Sequence, residues 1–326
     1  MTISAKIIAD SISPAGVRIT TFELEYPRFI HAEFMTHRMF SRNAASSRAI
    51  PVNRAIELIR ENIARPIHWG KNQPGMSAKE EHNALIHIPS SITTTGDWTR
   101  ELCWWRAGEA AIQHAEAFNA AGYHKQIVNR LLEPFTHIKV VCTATEFNNF
   151  WWLRNHPDAQ PEIQELARVM LAEFNKSEPL ELCQGDWHVP YYEHGDWTPT
   201  GSDFDEGPQR DIHGRTLQEA IAISASCCAQ VSYRKLDDSL EKAQDIYKRL
   251  VESEPVHASP FEHQATPMHE YHFREDEDVL LYINPENETL DSEGITHFDR
   301  YGKAWSGNFR GWIQNRQLIP NNVKRG

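Results

Sequence analysis

The stretch Phe34–Ala55, FMTHRMFSRNAASSRAIPVNRA, holds Arg38, Arg42, Arg48 and Arg54, one histidine and no acid. It lies in a chain of 326 residues with 33 Lys+Arg against 45 Asp+Glu, a formal charge of −12. A cationic island in an acidic chain calls for an anion. Ser41, Asn43, Ser46 and Ser47 add short polar groups beside the small residues Ala44, Ala45 and Ala49. Guanidinium groups, hydroxyls and accessible backbone N–H groups together are what a phosphate needs. Each charge-assisted hydrogen bond is worth about 1.5–3 kcal/mol, so three or four hold a nucleotide phosphate. The same composition also suits a solvated basic loop paired with surplus carboxylates elsewhere.

The flanks supply the elements. The first 25 residues alternate loosely around Ser13-Pro14-Ala15-Gly16 and predict a β-hairpin. Phe29 to Met35 predicts a further extended stretch running into a polar loop. Ile50-Pro51 opens a helix to about Asn62, with proline where its missing N–H costs nothing. Residues 66–95 read mainly as loop. Helical spacing runs from Asp97 to about Leu132 with a break at Ala121-Gly122, and from Glu146 to Ser177 with a break near Pro157; residues 137–143 suit a strand. The polar, turn-rich segment 195–214 predicts a linker or insertion. Two helical patterns follow, at 216–231 and 238–253, and the charge run Arg274–Asp278 predicts a solvated loop.

Composition excludes several classes. A strongly acidic chain is a poor candidate for a sequence-tolerant DNA or RNA binder, so no nucleic-acid polymer is expected as partner. No apolar run approaches the roughly 18 residues of a membrane helix, and the N-terminus lacks a signal-peptide layout, so no membrane is expected either. Cys103, Cys142, Cys183, Cys227 and Cys228 are odd in number and form no CxxC pair, which predicts reduced thiols and a cytoplasmic location. Neither a Walker loop nor GxGxxG is present.

Two further clusters carry chemistry. Glu146-Phe-Asn-Asn-Phe-Trp-Trp-Leu-Arg154 places an arginine among aromatics. It stays charged, its pKa exceeding about 12, and wants an anionic or carbonyl partner; it would serve to stabilise a base that ionises, or snorkel from an aromatic core edge to a nearby acid. His257-Ala-Ser-Pro-Phe-Glu-His263 offers Ser259, Glu262 and His263 to a ligand. With His269 and His272 downstream a metal site is conceivable, but the spacing fits no standard ligand set and none is expected. Cys227-Cys228 reads as buried packing.

Together these blocks resemble the flavin-dependent thymidylate synthases, the ThyX family. Thr36-His37-Arg38-Met-Phe-Ser41-Arg-Asn43-Ala-Ala-Ser46-Ser47-Arg48 matches most of its Arg-His-Arg motif. Arg130-Leu-Leu-Glu-Pro134 is similar to its Arg-x-x-x-Pro helix end, and Asn149-Phe-Trp-Trp-Leu153-Arg154 with Ala159-Gln160-x-Glu162-Ile163 to its Asn-Phe helix and the block after it. Ala229-Gln-Val231-Ser232-Tyr233 and His257–His263 resemble two blocks that in the family precede the Arg-His-Arg loop. Here they come last, so the sequence is identified as a member of rearranged order, its moved segment packed back on the core.

The resemblance implies an α+β fold with a mixed or antiparallel sheet flanked by helices, long ones over 97–132 and 159–177. It implies a core over 1–194, a linker or insertion over 195–214, and a relocated segment plus extension over 215–326. It implies dUMP-to-dTMP conversion with FAD, NADPH and methylenetetrahydrofolate in a homotetramer. Arg154 would sit against the pyrimidine and favour ionisation at N3; Arg130 and Arg48 would hold the nucleotide, with Ala45, Ser46 and Ser47 lining its phosphate loop. His37, Arg38, Asn149 and Ser259 would contact FAD. The chain departs from the family at Thr36, where the first Arg is lost; at Ala44, where a Glu is lost; at Glu33, in place of a nucleotide-holding Gln; at Thr143 and Thr145, in place of flavin-contacting Asn and Arg; and at Asp158, in place of His. A carboxylate at Glu33 only accepts, and so favours a base amino group over a carbonyl. This opens two alternatives: C5 methylation or hydroxymethylation of dUMP or dCMP, and an inactive nucleotide-binding or assembly homologue.

Overall fold

The computed structural model describes residues 3–89, 96–201, 207–232, 237–269 and 293–324. The expected hairpin forms: β1 (Ser4–Ile12) and β2 (Arg18–Pro27) pair antiparallel, joined by a turn in which Gly16 sits at φ +73°. Phe22, Leu24 and Tyr26 of β2 share one face of the sheet and are fully buried.

Phe29 to Met35 is helical, not extended. A turn over Arg28–Ile30 leads into α1 (His31–Phe34). Ile30 and Phe34, four residues apart, then bury on one side, a spacing that five residues of alternating sequence do not distinguish from a strand. In the expected polar loop, β3 (Ser41–Ala44) forms as a sheet edge. A strand of Ser-Arg-Asn-Ala carries no hydrophobic alternation to announce it.

Helix α2 (Val52–Glu61) follows Pro51 as expected. Residues 66–95 are mostly irregular, with β4 (Ile86–Ile88) paired to β5 (Gly96–Trp98). Helix α3 (Arg100–Ala120) is capped by Thr99, whose hydroxyl accepts from Leu102 N, and ends before Gly122; α4 (Lys125–Val128) is a short continuation. Strand β6 (His137–Ala144) pairs with both β2 and β3. Helices α5 (Asn148–Arg154) and α6 (Pro161–Lys176) flank the Pro157 break. The main sheet runs β3-β6-β2-β1-β7, with β7 (Leu180–Glu181) parallel to β1. Ile163, Leu166, Ala167 and Met170 of α6 bury against Phe22, Val140 and Phe150.

A second sheet, β14-β10-β8-β9, joins distant segments: β8 (Trp187–His188), β9 (Asp196–Trp197), β10 (Ala265–Pro267) and β14 (Trp312–Gln314). The described parts of segment 195–214, residues 195–201 and 207–214, are held against the fold. Gly195 at φ +95° lies so close to β1 that a Cβ there would fall 2.7 Å from the Ala9 Cβ. Trp197 is buried and donates to Arg215 O, and Tyr192 donates to buried Asp211. Helices α7 (Leu217–Ala229) and α8 (Leu240–Val251) carry the second core, with Phe261. A small sheet of β11 (His297–Phe298), β12 (Ala304–Ser306) and β13 (Phe309–Arg310) completes the C-terminal part.

The late blocks pack on the early sheet. Cys228 and Val231 belong to the main core, and Tyr191 donates to Glu23 at 2.9 Å. Tyr233, His272 and the run 274–278 lie outside the described residues. A buried chain of hydrogen bonds joins the two halves: Ser11 to His188, His188 to Thr21, Thr21 to Thr143 and Thr143 to His263, each 2.8–2.9 Å. The five cysteines are unpaired, and three of them are buried. Among the described residues no helix is long and apolar enough to cross a membrane.

Candidate functional site

The structure draws four of the proposed residues together. Helix α5 buries Phe150 and turns Arg154 back toward α1 and the segment after it. There Arg154 pairs with Glu33, donates from Nε to His37 Nε2 at 2.9 Å, and reaches Thr36 Oγ1 at 3.5 Å. The ring of Phe150 stands edge-on to His37, centroids 4.9 Å apart. Burial, with Arg154 and Arg42 nearby, lowers the His37 pKa to about 4, so this histidine is neutral. The ring that Arg154 touches is His37, and the acid it meets is Glu33. Trp152 and Leu153 are exposed beside it.

A second cluster shapes the loop after β3. Ala45 and Ser47 are buried, whereas Ala44 and Arg48 are exposed, so the loop shows alternate residues to solvent. Ser47 donates to Glu133 Oε1 at 2.7 Å, and the same oxygen accepts from exposed Arg130 at 2.9 Å. Asn129 Nδ2 donates to the carbonyls of Ser47 at 2.7 Å and Ile50 at 2.9 Å. Arg28 donates to Ala45 O, and Lys125 to Ala49 O. Arg48 N donates to Ser46 Oγ. The loop is therefore pinned from behind before any ligand arrives, and a cavity of about 370 Å³ lies on that inner side. Sequence reading missed Arg28, Asn129 and Glu133. Only Glu133 carried a signal, as a residue inside the Arg-x-x-x-Pro block.

The residues assigned to FAD divide. Arg38, Ala44, Asn149 and Ser259 are exposed. Asn43 Nδ2 donates to Cys228 O at 3.4 Å, and the Ser259–Glu262 turn of the late His257–His263 block packs on β3. His37 is buried and its Nε2 is taken by Arg154. Thr143 faces the interior, its hydroxyl bonded to Thr21 and His263, and does not reach the surface. Thr145 Oγ1 accepts from Arg310 N at 3.0 Å. The exposed set, a guanidinium, an amide and a hydroxyl, has the donor chemistry a diphosphate-bearing cofactor requires. Glu162 serves the fold: it is buried and accepts from Ile67 N and Gln160. Among the described residues no group of three or more His, Cys, Asp or Glu stands where it would hold a metal ion.

Comparison with known proteins follows this geometry. Residues 10–180 match the model of a family described as thymidylate synthase complementing protein. No protein of curated function matches the chain in sequence. Among solved structures, the UMP/dUMP methylase PolB from Streptomyces cacaoi bound with 5-bromo-dUMP is similar at 18% identity and a TM-score of 0.40, over 55% of this chain and 91% of that one. The same methylase bound with 5-bromo-UMP gives 17% and 0.39, over 55% and 90%. The match spans just over half of the chain and contains the Glu33, Thr36, His37, Arg130 and Arg154 positions, so the chain belongs to the thymidylate synthase complementing protein family, the flavin-dependent thymidylate synthases.

Proposed function

We propose that this protein transfers a one-carbon unit to C5 of a pyrimidine deoxynucleotide, converting dUMP to dTMP, with methylenetetrahydrofolate as donor and NADPH as reductant. The observation that carries this reading is the Glu33–Thr36–His37–Arg154 cluster within the family segment. Arg154 is paired with Glu33 in a half-buried position beside the His37 ring. A guanidinium set against the pyrimidine favours the N3 anion, which raises electron density at C5. Neutral His37 and Glu33 fix the plane of that guanidinium by accepting two of its N–H groups. Arg130 and Arg48 meet the phosphate at the mouth of the loop that Asn129 and Glu133 hold, with Ser46 presenting its hydroxyl. Arg38, Asn149 and Ser259 would hold FAD. Bound there, the flavin supplies the redox chemistry that the side chains of this chain lack. Assembly as a homotetramer and a cytoplasmic location go with this reading.

A second reading rests on one residue. Glu33 offers the base only acceptors, which suits the amino group of dCMP, with a methyl or hydroxymethyl product. Visible absorption of the purified protein supplied with FAD, before and after dUMP or dCMP, tests both. A bound-flavin spectrum perturbed by dUMP alone supports the first, and one perturbed by dCMP alone the second. If no flavin binds under any condition, the redox mechanism is wrong and a nucleotide-binding or assembly role takes its place.

A further inference from the structure

Residues 293–324 lie outside the family match, yet their strand β13 is fastened to both pieces of chain that the proposed function uses. Phe309 anchors it, fully buried with Val17, Ile19 and Trp312. On one flank, Asn308 Nδ2 donates to Met39 O at 2.9 Å, and its Oδ1 accepts from Ser41 and Gln314. On the other, Arg310 N donates to Thr145 Oγ1 at 3.0 Å, and Arg310 Nε donates to Glu146 Oε1 at 2.6 Å. Thr145 and Glu146 directly precede α5, which carries Asn149 and Arg154.

The guanidinium of Arg310 is only partly used. Its Nε–H is taken by Glu146, and Asp299 lies within its electrostatic reach, whereas Nη1 and Nη2 make no hydrogen bond among the described residues. The side chain is one-third exposed. A guanidinium fixed at Nε presents its remaining N–H groups as a planar fork, the geometry that matches phosphate oxygens. It stands in the corner where Thr145 supplies no charge of its own.

We propose that Arg310 is an anion-binding residue of the candidate site, contributed by the C-terminal strand, whose terminal nitrogens meet the diphosphate of the flavin cofactor. This rests on the flavin reading above. Glu146 orients the guanidinium but also opposes an incoming anion, so the two residues have opposite effects on cofactor affinity. A pair that only braced β13 would have effects of the same sign.

The test is equilibrium FAD binding to the full-length protein and its variants, with melting temperature read alongside. Arg310→Gln is expected to weaken FAD binding about tenfold or more, Arg310→Lys to recover part of the loss, and Glu146→Gln to leave affinity unchanged or raise it severalfold. Unchanged affinity in Arg310→Gln overturns the assignment, as does an equal loss in Arg310→Gln and Glu146→Gln with parallel drops in melting temperature. Should Arg310→Gln fold poorly, the opposed signs of Arg310→Lys and Glu146→Gln carry the same decision. Wild-type protein that binds no FAD overturns the flavin reading itself, and is told apart from these outcomes by the wild-type titration alone.

Discussion

Arg154 gives its Nε–H to His37 Nε2 at 2.9 Å, and that one bond fixes the protonation of the histidine. Arginine only donates, so His37 accepts at Nε2 and carries its proton on Nδ1. Burial keeps the ring neutral, with a pKa of about 4. The guanidinium is thus oriented by a neutral acceptor and by a carboxylate, Glu33, that balances its charge. Arg154→Ala is expected to lower turnover by about 10²–10³-fold or more, the scale of losing a preorganised charge at the reacting centre. The helix end it occupies is partly exposed, so circular dichroism should show the fold intact. Retained activity in a folded variant would remove Arg154 from the mechanism.

Under the proposed function, Glu33 is the residue expected to read the base. As a carboxylate it accepts from Arg154 and from any amino group of the base, and has no proton to give a carbonyl. Glu33→Gln provides both an acceptor and a donor. The expected result is a shift in kcat/KM of about tenfold or more toward dUMP over dCMP, the scale of one matched against one mismatched polar contact. Competing-substrate assays on wild type and variant measure it. An unchanged ratio shows that Glu33 does not read the base.

Much of this could be read from the chain, and the gaps have physical causes. The hairpin, β6, α3 and α6 are long enough for period and caps to speak, as Thr99 before α3 and Gly122 after it do. The meeting of Arg154 with residues 33–37 was legible only through the family resemblance, since 117 residues separate it from His37. The second sheet was not legible at all. Its strands are two or three residues long, and Ala265 pairs with both His188 and Gln314. Such strands exist through tertiary contact, not local propensity. Thr143 shows the opposite case: the family resemblance sets it at a flavin-contacting position, whereas burial and two hydrogen bonds hold it in the interior. Asn129 left no mark because its work is done on backbone carbonyls, which any sequence supplies.

That work can be measured. Asn129 is almost fully buried, and its amide spans the carbonyls of Ser47 and Ile50. Asn129→Ala leaves both without their donor, a loss of about 1–3 kcal/mol. The loop should loosen where Ser46 and Arg48 are proposed to meet phosphate, while Arg154 stays in place. KM for the nucleotide is expected to rise by about tenfold with kcat within about twofold, together with a lower melting temperature. A fall in kcat at constant KM would show that the loop acts on the chemistry and not on phosphate binding.

Buried histidines lower the stability of the fold in acid, His188 and His263 most strongly, with burial also lowering the pKa of His31, His37 and His137 to about 4. His188 and His263 are fully buried, and burial lowers both to a pKa of about 3. In the unfolded chain each titrates near about 6.5. Above that pH neither state binds the proton and the full stability is present. Below it the unfolded state takes up protons that the native state refuses, so stability falls as pH drops from about 6.5 toward 3. The slope approaches about 1.4 kcal/mol per pH unit for each histidine. Each therefore costs about 2 kcal/mol by pH 5, and the pair about twice that. Denaturant melts at pH 8, 7, 6 and 5 should show a flat region above 7 and a loss below it. His188→Gln should begin less stable at pH 8, because Ser11 and Thr21 lose their partner, yet lose less between pH 7 and 5. If wild type and variant fall in parallel over that interval, the acid sensitivity belongs to other groups, and the Ser11–His188–Thr21–Thr143–His263 chain is not what joins the two halves against acid.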